Sequence, residues 1–180
     1  PDVTDGATVI AAVGISDGKD IVFEAGDGVG TVTLPGLQIP PGEPAINPVP
    51  RRMISEAIRS VTESGAWVRI SVPGGKQLAE KTFNPRLGVA GGISIIGTSG
   101  RTRPFSVAAL RAALKCSLDV TRACGIDSPV LVPGHIGARA VGSLFELQRS
   151  QLVEISNEWG FIVDLLPSYG FTNVMAAGHP

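Results

Sequence analysis

VLVPGHIGARAVGSLFELQRSQLVEISNEWGFIVDLLPSYGFTNVMAAG, residues 130–178, decides the fold class of this chain. Three short apolar runs, VLVPG (130–134), LVEIS (152–156) and NVMAAG (173–178), alternate with two longer segments, GARAVGSLFEL (137–147) and NEWGFIVDLL (157–166), of helical period. Apolar strands separated by helices predict right-handed crossovers and a parallel sheet. A further helix is expected ahead of them, from Val107 to Cys124, with Ser106 as its N-cap and Gly125 closing it. The polar, Gly-rich GTSGRTRPFS (97–106) marks a boundary, so residues 105–180 are read as a small parallel α/β domain.

Upstream the rhythm changes. TVIAAVGI (8–15) and DIVFEA (20–25) read as strands, and SDGKD between them as a hairpin turn. Residues 38–50 are Pro-rich and unsuited to a regular ladder or a helix interior. A helix follows, opened by Pro50, striped by Met53, Ile54, Ala57, Ile58 and Val61, and capped by Gly65. WVRISVP (67–73) alternates as a half-buried strand, KQLAEKTFNPRLG offers one helical turn, and ISII (93–96) reads as a last strand. Residues 1–104 are therefore expected to form an α+β domain, and the whole chain belongs to the α/β class.

The 180 residues carry a net charge of -1, which argues against a general nucleic-acid binder with its basic patch. No apolar run reaches the ~20 residues of a membrane span. On one helix Cys116 and Cys124 sit ~12 Å apart along the axis, too far for a disulfide. With two histidines in the chain, no Cys/His spacing supports a metal site. In the absence of a signal-peptide pattern, a reducing cytoplasm is the default compartment. The sequence runs from PDVTDGATV to AAGHP, and both ends read as cut from a longer chain.

Chemistry is expected at two places. The loops VPGHIG (132–137), ISNEWG (155–160) and AAGHP (176–180) all follow predicted strands, and open α/β sheets bind ligands outside strand carboxyl ends. Gly134, Gly137 and Gly178 permit close backbone approach, Asn157 suits an N-cap, and both histidines, His135 and His179, fall here. Ordinary βα turns explain the same residues. His135 and Glu158 are the candidate catalytic groups. In the first domain, Arg51, Arg52 and Arg86 stand beside prolines, with Asn47 ahead of Pro48. Guanidinium groups on rigid backbone suit carboxylates, which arginine grips with two bonds. The bland alternative is that they solvate a helix start. Gly91 and Gly92, in GGISIIGTSG, suit either a packing corner or a platform for a flat ligand.

The run GDGVGTVTLPGLQIPPGEPAINPVPRRMI (26–54), followed by ISVPGGKQLAEKTFNPRLGVAGGISIIGTSG (70–100), closely resembles the CbiD family, and VLVPGHIG, NEWGF and AAGHP extend the likeness. The resemblance implies an S-adenosylmethionine-dependent transfer of a methyl group to ring carbon 1 of a cobalt corrinoid precursor. It implies a first domain of the ribosomal-protein and GHMP-kinase type and a second, Rossmann-like one. With that activity, the strand-end loops are the expected cofactor site, at Gly134, Gly137, Asn157, Gly178 and His179. The rigid Asn47, Arg51, Arg52 and Arg86 suit the carboxylate rim of such a macrocycle and Gly91 and Gly92 its face, so these are the expected substrate residues. Two other readings stay open: a corrinoid- or nucleotide-binding fragment without turnover, and a non-methylating α/β enzyme using a histidine base. The 180 residues alone are expected to be weakly active or inactive.

Overall fold

The computed structural model describes residues 3–97 and 106–178. It is a mixed α/β structure that divides into two compact units, residues 1–34 with 38–104, and residues 35–37 with 105–180. No helix among the described residues is long and apolar enough to cross a membrane.

The first unit holds β1 (Ile10–Ser16), β2 (Ile21–Ala25), β3 (Thr31–Val32), α1 (Pro48–Arg59), β4 (Gly65–Ser71), α2 (Gly75–Ala79) and β5 (Val89–Ala90). The expected β1–β2 hairpin does not form. The sheet order is β1-β4-β2, with β4 antiparallel to β1 and parallel to β2. The connection still reverses the chain, but it straddles the start of β4: Gly65 N–H donates to Gly18 O and Ala66 N–H to Asp20 O. β4 takes the centre because its alternate residues, Ala66, Val68 and Ile70, are the buried ones. Ile21, Phe23 and Ala25 join them on that face through register, and Ile54 and Ile58 of α1 pack against it. Val13 and Ile15 share the same face by register yet stay 54% and 66% exposed.

Gly65 is not a helix cap. α1 stops at Arg59 with Ser60 as C-cap, leaving Val61 85% exposed and outside the apolar stripe. The side chain of Arg59 holds the exit instead, donating to Ser64 O at 2.6 Å and also to Lys19 O. ISII is not a strand of its own either. Ile93 and Ile95 make single bridges to Val29 and Ile46, and β5 falls earlier, paired with β3.

In the second unit α3 spans Val107–Ala123, and Ser106 Oγ accepts the Ala109 N–H at 3.3 Å. Gly125 follows at φ 75°, where a glycine ends a helix at no steric cost. Then come β6 (Val130–Val132), α4 (His135–Leu144), β7 (Leu152–Glu154), α5 (Trp159–Leu165) and β8 (Met175–Ala176). The three strands are all parallel in the order β7-β6-β8. Leu114, Leu118, Leu131, Val153, Ile155 and Ile162 form the core beneath them. Pro167 sits in a short 3-10 turn, Leu166–Ser168, where α5 has already ended.

Candidate functional site

Parallel pairing carries the carboxyl ends of β6, β7 and β8 to one edge of the second sheet. Beyond the strands the backbone keeps bonding: Ile155 N–H donates to Val132 O, and Ala177 N–H to Leu131 O. The loops with the predicted cofactor residues therefore leave the same edge.

Their residues differ in what they are free to do. Gly134 is the N-cap of α4, in extended backbone, and a Cβ built on it meets no atom within 4 Å. His135 is the exposed first residue of that helix. Gly137 is buried, and a Cβ there would lie 3.2 Å from Pro133 Cδ and 3.3 Å from Val132 Cβ. Its missing side chain lets α4 sit against the end of its own strand. Gly178 is exposed with open space around it. His179 lies outside the described residues.

Asn157 does not cap α5. It occupies an exposed turn after Ser156, whose φ of 52° is the one positive non-glycine value among the described residues. That left-handed residue turns the chain one position later, so Glu158 takes the N-cap place. The Glu158 carboxylate accepts from Arg111 Nε of α3 at 2.6 Å, and Glu158's side chain is 18% exposed. Arg111 in turn covers the Phe161 ring, its guanidinium carbon 4.9 Å from the centroid. Arg111 was missed by the sequence reading. The signal was faint: one arginine on the polar side of a predicted helix.

In the first unit, Asn47 is the N-cap of α1, extended at ψ 159°, with its N–H donating to Ile95 O at 2.9 Å. Its side chain makes no capping hydrogen bond. Arg51 points inward. Its Nε donates to Ile46 O at 2.8 Å, a terminal nitrogen donates to Pro44 O at 3.0 Å, and both terminal nitrogens reach Glu43 Oε2 at 3.2 and 3.1 Å. The guanidinium also lies over Phe23, 5.4 Å from the ring centroid. Arg52 is the outward one, 65% exposed, with only a loose 3.7 Å approach to Glu56. Arg86 stacks over Phe83 at 5.6 Å. Gly91 is exposed at φ 84°, whereas Gly92 is buried, and a Cβ on it would come 2.2 Å from Gly28 O. The neighbouring Asn84 is buried and accepts from Ser94 Oγ at 3.0 Å.

Among the described residues no group of three His, Cys, Asp or Glu is placed to hold a metal ion. Cys116 and Cys124 are free thiols. Burial, and then the charge of Asp119, push the Cys116 thiol up, away from the nucleophilic thiolate.

The second unit carries open glycines at its parallel strand-end edge, the start of α1 in the first carries Asn47 and Arg52, and the chain is of the mixed α/β class, in which strand-end edges are the usual place for ligands. The chain belongs to the CbiD family, whose model matches residues 1–104. It is similar to a cobalt-precorrin-5B C(1)-methyltransferase of Syntrophotalea carbinolica, 56% identical over all 180 residues and 51% of that protein. Relatives of the same name are 43% identical in a Thermoanaerobacter species and 41% identical in Methanocaldococcus jannaschii. Each match covers 99% of this chain, and 49% and 50% of those proteins. The chain thus spans about half the length of the curated relatives it matches.

Proposed function

We propose that this chain belongs to an S-adenosylmethionine-dependent enzyme that methylates ring carbon 1 of cobalt-precorrin-5B, giving cobalt-precorrin-6A in cytoplasmic cobalamin biosynthesis. The observation that carries this reading is the 56% identity, across the whole chain, to a relative of that name. The second unit, read as Rossmann-like, takes the cofactor at Gly134, His135 and Gly178. The first, read as the ribosomal-protein and GHMP-kinase type, takes the corrinoid at Asn47, Arg52, Arg86 and Gly91.

The chemistry suits these residues. The nucleophilic ring carbon attacks the sulfonium methyl, the sulfur–methyl bond breaks, and its electron pair stays on sulfur, leaving S-adenosylhomocysteine. An in-line displacement of this kind needs alignment and exclusion of water before it needs an acid or base. The N-terminal amides of α4 favour the cofactor carboxylate. Arg52 and Arg86 suit the acetate and propionate rim of the macrocycle. Glu158, paired with Arg111, acts here by holding α5 against α3.

The test is calorimetric titration of S-adenosylhomocysteine into the wild-type chain and a Gly134→Val variant. Gly134 is preferred to Gly137 because open space lets it change without disturbing packing. Binding to the wild type and at least a roughly tenfold loss in the variant support the site. Equal affinities reject it.

The chain's share of its relatives favours a second reading: this region binds both ligands, and turnover needs the remainder of the relatives' length. Full-rate methylation by the 180 residues alone rejects that reading.

A further inference from the structure

We propose that Arg51 is a positioning residue: it locks the strap of residues 42–47, thereby holding Asn47 and Arg52 toward the corrinoid, and takes no substrate carboxylate itself. The inference rests on the corrinoid reading above and deepens it.

The strap has an accounting problem that Arg51 solves. Its backbone is bonded on both sides: Gly42 N–H donates to Val32 O, Ala45 N–H to Gly30 O, and Asn47 N–H to Ile95 O. The prolines at 40, 41, 44, 48 and 50 remove donors from the neighbourhood, so carbonyls outnumber N–H groups. Ile46 O shows the shortage. The residue four further on, where a helix would supply the next donor, is Pro50. A buried carbonyl left without a partner is costly. Arg51 supplies the donor to Ile46 O and adds a second to Pro44 O, which already accepts the Ile46 N–H at 2.6 Å.

Glu43 then fixes the fork. Its Oε2 takes one bond from each terminal nitrogen, so four of the five guanidinium N–H groups are engaged within the strap. Phe23 covers one face of the guanidinium. The arginine reaches strand β2 and the strap at once, and ties the start of α1 to both. A substrate carboxylate would have to displace Glu43 to use this fork. Arg52, one residue on, needs no such displacement because it is already exposed.

Neutralising Glu43 separates the two roles by sign. If Arg51 bound the substrate directly, Glu43→Gln would free the fork and tighten binding of an anionic corrinoid. If Arg51 is a lock, the same change loosens the strap and weakens binding. The experiment measures cobyrinic acid affinity, S-adenosylhomocysteine affinity and amide exchange in the wild-type chain, Glu43→Gln and Arg51→Lys. The two mild variants avoid the lost packing of an alanine. Expected are faster exchange at Ala45, Ile46 and Asn47, cobyrinic acid binding weakened about tenfold in Arg51→Lys and less in Glu43→Gln, and S-adenosylhomocysteine affinity unchanged. Tighter cobyrinic acid binding in Glu43→Gln overturns the positioning role. Unchanged exchange in Arg51→Lys overturns the lock. A wild-type chain that fails to bind cobyrinic acid overturns the corrinoid reading, and the exchange arm still decides whether Arg51 locks the strap.

Discussion

In the second unit, side chains close the core: Leu114 and Leu118 of α3 meet Leu131, Val153 and Ile155 of the sheet and Ile162 of α5. In the first unit, backbone meets backbone. A Cβ on Gly28 would lie 1.9 Å from Val72 O, and one on either Gly75 or Gly92 would lie 2.2 Å from Gly28 O. Side-chain cores relax partly around a lost methylene. Two main chains in contact have no rotamer to change, so the corner of Gly28, Gly75 and Gly92 tolerates no added atom. The first unit adds this three-glycine corner to a side-chain core of Ile46, Val68 and Ile70, whereas the second has, among its described residues, one such approach, a Cβ on Gly36 lying 2.7 Å from Asp119 O.

The contrast is broken most severely at the glycine corner. Gly92→Ala should cost about 4 kcal/mol in urea unfolding, the range of diagnostic core clashes. A cost below that of an ordinary core truncation would show that the corner yields. Next comes Leu118→Ala in the second unit, fully buried in the wild type, with an expected loss of about 3 kcal/mol. If the two costs are reversed, side-chain packing is the more brittle mode. Ser106→Ala removes the α3 cap and should cost about 1 kcal/mol, measured as a lower unfolding midpoint. The mildest probe is pH. Tyr169, the one tyrosine of the chain, has its phenol pKa raised above the ordinary 10 by burial and by its 2.7 Å hydrogen bond to Asp119. A raised folded-state pKa means that the neutral phenol contributes stability below the unfolded value. That contribution is lost as pH climbs through the folded one. Phenolate absorbance should therefore rise well above pH 10, and earlier in Asp119→Asn. Identical titrations would remove Asp119 as a cause.

The second unit was legible because its signals are local. Ser106, Gly125 and the alternation of apolar runs with helical periods each act within a few residues of where they are read. Asn157 failed for a local reason too, since a left-handed Ser156 moved the cap to Glu158. The first unit was less legible because its decisive contacts are distant in sequence. SDGKD announces that the chain reverses, and it does, but a turn says nothing about which strand lies alongside. Partner choice was set by β4, over forty residues later, whose buried alternation outcompetes both neighbours for the centre; Arg69 meets Glu24 at a separation of 45. Gly134 and Gly178 stand in open space and Arg52 is exposed, features that residue type alone suggests. The inward turn of Arg51 required knowing that Glu43 and two carbonyls converge on it.

The insertion of β4 has a kinetic consequence. β1 and β2 are joined by only four residues, and a hairpin of that kind closes in about 1–10 μs, far sooner than β4 arrives from beyond α1. The fastest strand pairing available to β1 and β2 is therefore a non-native one, and it must open before the central strand can enter. Refolding is expected to slow as denaturant is lowered, when the premature hairpin is most stable, bending the folding limb of the chevron downward. Gly18→Pro, placed in the reversal at φ 86° where proline cannot sit, weakens that early pairing and should straighten the limb even as it lowers native stability. A straight limb in the wild type would show that β1 waits unpaired for β4.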